Sequence, residues 1–210
     1  MIAVLILIFL IVVAYYFFNR RDECAVLQTI HHDDYVIEIV NAVCKEGLPH
    51  TTGPHTVRMT LADWEGPRRD DILRHEVVHL KQRRAVNWLD FYKTHWGYTC
   101  AASPPEGVPA EFVARLRPNP DTAADPWATW RGRWLFFPVF TEDGSLRGAE
   151  VIVWDLDNHR QAAIPDEWKA EFCGAQGCPH QYEHPHEISA EWIAGGSDAS
   201  AAKKLFDWLK

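Results

Sequence analysis

The chain has 210 residues, 47% of them hydrophobic, and a formal net charge of −8. That length suits one globular domain behind a short apolar terminus, and an acidic balance with no basic-aromatic stripe argues against a nucleic-acid-binding surface. Five cysteines (Cys24, Cys44, Cys100, Cys173, Cys178) are odd in number and widely scattered, which is not a disulfide framework and agrees with a reducing compartment.

Residues Ile2 to Phe18 form an unbroken apolar run ended by Asn19-Arg20-Arg21. As a helix the run spans about 26 Å, close to the roughly 30 Å of a bilayer's hydrocarbon core, and Tyr15 and Tyr16 suit the interface. No positive side chain precedes it and no small-x-small site ends it, so a retained transmembrane anchor is expected over 1–21 rather than a cleaved signal peptide. Arg20 and Arg21 follow the span, so the positive-inside rule predicts a single-pass membrane protein whose body is cytosolic. A short polar linker is expected at 22–32, followed by one domain over 33–210.

Asp33 or Asp34 can cap a helix carrying Val36, Ile39, Val40 and Val43 and ending near Gly47, although its β-branched residues also suit a strand. His55 to Leu61 alternates, with Val57, Met59 and Leu61 on one face, which predicts a half-buried strand. Next comes His75-Glu76-Val77-Val78-His79 inside a helix that Pro67 can open, with Asp70 and Asp71 early and Lys81, Arg83 and Arg84 late. Four apart on one face, His75 and His79 can bring two imidazole nitrogens to one metal ion. Glu76, about 100° around the helix, can reach a water on that metal without ligating it. Leu73, Val77 and Leu80 form an apolar stripe, while Ile72, His75, Glu76 and His79 share another face. Two neutral nitrogens, an open position and a carboxylate base are what a zinc hydrolase needs, so Zn2+ is the expected cofactor and Glu76 the expected catalytic base.

Asn87 can cap a helix through Leu89, Phe91, Tyr92 and Trp96, and 103–126 reads as loop with one short helix near 109–116. Residues 134–140 and 149–154 flank Glu142-Asp143-Gly144-Ser145, a hairpin signal. Cys173, Cys178, His180 and His184 fall within twelve residues and could hold a structural zinc, a polar loop being the other reading. Pro185 can open a helix with Glu187 and Glu191 four apart on one face, and 199–209 fits an amphipathic helix using Leu205, Phe206, Trp208 and Leu209. Catalytic zinc takes a third protein ligand. Glu187 and Glu111 both offer a carboxylate, but the i+4 partner of Glu111 is Arg115, which cannot accept an imidazole proton.

A strand leading into a His-Glu-x-x-His helix (residues 55–86), with Glu187 and Glu191 on a distant helix, resembles the zincin metallopeptidases and their gluzincin subgroup. The resemblance implies an α+β, zincin-like fold behind an N-terminal transmembrane helix. In it the active-site helix packs on a small, mostly antiparallel sheet whose edge holds extended peptide substrate. It further implies zinc held by His75, His79 and Glu187, with Glu191 as hydrogen-bond partner of His75 and Tyr182, His184 or His186 as donor to the oxyanion. The chain departs in spacing, because Glu187 lies more than a hundred residues past His79 and a large insertion must fold back. The expected function is a membrane-anchored zinc peptidase acting on peptide or protein substrates. The alternative is a non-enzymatic membrane protein whose structural metal site serves a binding module.

Overall fold

Residues 36–40 suit helix and strand alike, and pairing decides between them. In the computed structural model, which describes residues 25–41, 48–85, 87–117, 119–141 and 149–210, Val36–Val40 is a strand, β2. The expected anchor (1–21), the end of the expected 33–47 helix and the turn of the expected hairpin lie outside the described residues. β2 runs antiparallel to β1 (Val26–His31), so most of the expected linker at 22–32 is an edge strand. On its other side β2 pairs in parallel with β4 (Thr56–Thr60), which pairs antiparallel with the short β3 (His50–Thr52). The sheet order is β1-β2-β4-β3.

The period-2 pattern holds through Met59 and then breaks. Ile37, Ile39, Val57 and Met59 are fully buried on one face, but Leu61 is exposed and starts a short helix, α1 (Leu61–Glu65). Thr60 ends the strand because its Oγ1 accepts from the Asp63 amide and donates to the Asp63 carboxylate, a capping arrangement that starts a helix. The long helix α2 spans Arg69–Arg84, with Pro67 one residue before its Arg68 cap rather than in its first position. Leu80, Leu73 and also Ile72 pack on the sheet's buried face, so Ile72 belongs to the core as well as to the polar face.

After α2, helix α3 (Trp88–Phe91) passes into a π-turn (Tyr92–Trp96) that closes at Gly97 in the left-handed region, φ 75°. A second, five-stranded antiparallel sheet follows in chain order: β5 (Tyr98–Ala101), β6 (Trp127–Trp130), β7 (Trp134–Val139), β8 (Glu150–Asp155) and β9 (Arg160–Gln161). Both of its faces are covered, which explains why 134–139 is continuously apolar instead of alternating. Leu135, Phe137 and Val139 meet Phe112 of α4 (Ala110–Ala114). Phe136 joins an aromatic core shared with α3, α5 (Asp166–Phe172), α6 (Pro185–Gly195) and α7 (Ser200–Trp208). Trp96, Trp130 and Trp168 are buried there with each indole N–H satisfied, donating to Ala201 O, Trp96 O and Tyr98 OH. α6 lies against α2, joining the aromatic half of the molecule to the first sheet.

Candidate metal centre

On α2 the i, i+4 spacing brings His75 and His79 together, their Nε2 atoms 3.0 Å apart. Glu187, in the first turn of α6, brings its Oε2 to 3.2 Å from His75 Nε2 and 3.4 Å from His79 Nε2. The helix start that places Glu187 is fixed by Pro185 in its first turn and by His184, whose Nδ1 accepts from the His186 amide. Ligands about 2.0–2.1 Å from a tetrahedral cation lie about 3.3 Å from one another, so these three atoms have the spacing of one tetrahedral face.

Each of the two buried ligand groups is held from behind. Gln82 Nε2 donates to His186 O (3.0 Å) and Ser189 Oγ (2.8 Å), which leaves Gln82 Oε1 to accept from His79 Nδ1 at 2.7 Å. With one proton fixed on Nδ1, His79 turns Nε2 toward Glu187 and His75, and its neutral form offers a metal the Nε2 lone pair. Asn119 Nδ2 donates to Glu187 Oε1 at 2.8 Å, turning Oε2 to the histidines.

The electrostatics call for positive charge among these donors. Burial opposes ionisation of Glu187, but His79 and His75 outweigh it and hold the carboxyl well below the usual range. Burial likewise opposes a charge on His79, yet Glu187 overrides it and lifts the imidazolium to about 10. Either a proton or a cation answers that demand, and two imidazoles with one carboxylate are a normal set for a small divalent metal. Glu76 is 5% exposed, its Oε2 has no hydrogen-bond partner among the described residues, and burial raises its carboxyl well above the ordinary value. An orphaned buried oxygen beside such a cluster fits a bound water or ion.

These groups open on a cavity of about 1500 Å³ between the two sheets, lined by Leu48–His50, α2, Asn119–Asp121, the ends of β7 and β8, and α6. Several expected site residues lie elsewhere or are otherwise engaged. Glu191 lines the cavity but does not partner His75: its carboxylate accepts from the His180 and Gln181 amides and from His180 Nδ1, at 2.9–3.1 Å. Glu111 is exposed on α4 and does not line the cavity. Tyr182 packs against Phe136 and Trp168, His184 Nε2 donates to Asp125 O, and His186 Nδ1 lies 3.1 Å from Tyr92 OH, so none of the three faces the cavity. Cys173 and Cys178 form a disulfide, which removes the thiols a structural zinc at 173–184 would need and departs from the expectation of reduced cysteines.

Gln82 and Asn119 escaped the sequence reading. Gln82 stands among charged residues at the end of α2 and Asn119 in a Pro/Asn loop, so neither signals burial on its own. No protein-family model, curated protein or solved structure matches the chain.

Proposed function

We propose that this chain is a membrane-anchored, zinc-dependent peptidase of zincin-like type, with zinc held by His75 Nε2, His79 Nε2 and Glu187 Oε2. One observation carries the reading: three ligand atoms 3.0–3.4 Å apart, with the unpartnered oxygen of Glu76 buried beside them. The cavity supports a polypeptide substrate, because about 1500 Å³ exceeds the roughly 300–1,000 Å³ of ordinary small-molecule pockets.

When bound, zinc supplies Lewis acidity toward a carbonyl and lowers the pKa of water. The chain's own residues do the rest. Glu76 takes a proton from the attacking water and delivers it to the leaving amine, and its burial keeps the carboxyl basic enough for both steps. Gln82 fixes the His79 tautomer, and Asn119 leaves one oxygen of Glu187 free to ligate. The apolar run at 2–18 supplies the anchor. The Cys173–Cys178 bond favours a body facing an oxidising compartment over the cytosolic side inferred from Arg20 and Arg21, since cytosolic thiols are kept reduced.

The test uses the full chain in detergent, with zinc stoichiometry and cleavage of a quenched-fluorescence peptide library measured for wild type and Glu76→Gln. The reading expects one zinc in both and cleavage in wild type alone. Absence of stoichiometric zinc, or equal cleavage by Glu76→Gln, would overturn it.

A further inference from the structure

We infer that Gln82 is the positioning residue that makes His79 a zinc ligand, a carboxamide behind one ligand histidine where the sequence resemblance implied only a carboxylate, Glu191, behind the other, His75. The inference rests on the metal reading above and makes the Gln82 contact a condition of zinc affinity, set by a neutral partner. His79 is 2% exposed, and among the described residues its Nδ1 meets only Gln82 Oε1, at 2.7 Å. The orientation of the amide is set from the far side. Its Nε2 donates to His186 O and Ser189 Oγ and lies 3.4 Å from Tyr92 OH, three groups contributed by α6 and the π-turn. Oε1 can therefore only accept, His79 Nδ1 must carry a proton, and Nε2, the nitrogen facing Glu187, is the one that can exchange its proton for a metal. Because the same amide spans α2 and α6, it also ties the ring's tautomer to the docking of the helix that brings Glu187.

The partner is neutral, and that has a chemical consequence. A carboxylate behind a ligand imidazole raises its basicity, whereas a carboxamide fixes the tautomer with little donation. The chain thus holds a nitrogen ligand that is oriented but not enriched in charge.

The pair Gln82→Met and Gln82→Glu isolates this role. The Met variant leaves one donor stranded, His79 Nδ1–H, because Ser189 Oγ still donates to His186 O and Tyr92 OH still reaches Ser189 and His186. The Glu variant keeps the acceptor oxygen but loses the amide donors and buries a charge. The full chain in detergent is titrated with zinc against a chromophoric chelator, and long-range 1H–15N spectra of the zinc-loaded forms are recorded for the His79 Nδ1–H signal. The expected result is a 10–100-fold weaker zinc affinity and loss of that slowly exchanging signal in Gln82→Met, with the signal kept in Gln82→Glu. If Gln82 served only as helix packing, the order would reverse: Met would bind like wild type and Glu would weaken, and that result overturns the inference. Should Gln82→Met fail to fold, loss of the His79 Nδ1–H signal in Gln82→Glu, which keeps the acceptor oxygen, overturns it alone. Failure of wild type to take up zinc is a separate outcome, which removes the metal reading itself.

Discussion

Replacing Glu187 with Gln asks whether this side chain, and not Glu111, completes the cation site. The substitution keeps shape and an oxygen for Asn119 Nδ2, so the fold around α6 should persist. What it removes is the one negative charge among three converging atoms. A unit positive charge at either imidazole nitrogen, 3.2 or 3.4 Å from Oε2, is attracted by about 5 kcal/mol at an effective dielectric of ~20. The glutamine oxygen's dipole restores part of that, and a net loss of about 3 kcal/mol corresponds to roughly a hundredfold weaker binding. Competition titration of zinc against a chelator reads the change, with Glu111→Ala as the comparison. Zinc binding by Glu187→Gln within threefold of wild type would remove Glu187 as the third ligand, most directly if Glu111→Ala is the variant that loses it.

Three further outcomes are expected. Leu80→Ala, at a side chain 1% exposed against Ile37, Ile39, Val57 and Met59, should cost about 2–5 kcal/mol in urea unfolding, and a loss below 1 would mean the sheet does not rest on α2. Changing Cys173 and Cys178 together to Ser opens a small loop and should cost about 2 kcal/mol, while a non-reducing peptide map of wild type recovers the two as one linked fragment. Burial first, then the charge of Glu187, raises the Glu183 carboxyl from near 4.5 to about 7. A folded state that binds this proton more tightly than the unfolded chain loses stability as pH rises from about 4.5 through 7, so Glu183→Gln should flatten that slope in metal-free unfolding curves, and an unchanged slope would remove Glu183 as its source.

The HExxH helix was legible because spacing, early acids and late bases all agree, and each depends only on near neighbours in sequence. The C-terminal helix was legible for the same reason, through Pro185 and the Glu187/Glu191 pair. What sequence could not supply was the partner of each side chain. Glu191 has the spacing of a helper carboxylate, yet the turn at 180–181 offers it two backbone amides and claims it. Gln82 and Asn119 gain their roles only when chain segments 104 and 68 residues apart meet. Local pattern failed where two signals competed: Val36–Val40 became a strand because β1 and β4 flank it, and Leu61 left its strand because Thr60 caps a helix. The strands β5 and β6 are four residues each amid turn-rich sequence, too short for a period to show.

His75 and Glu187 are separated by 112 positions, and the whole five-stranded sheet lies on the intervening chain. Any ion that grips both would act as a removable staple, shutting a loop that holds half the molecule. Chelation should then loosen both sheets relative to each other, not merely empty a pocket, and a melting curve would register it before any assay of turnover.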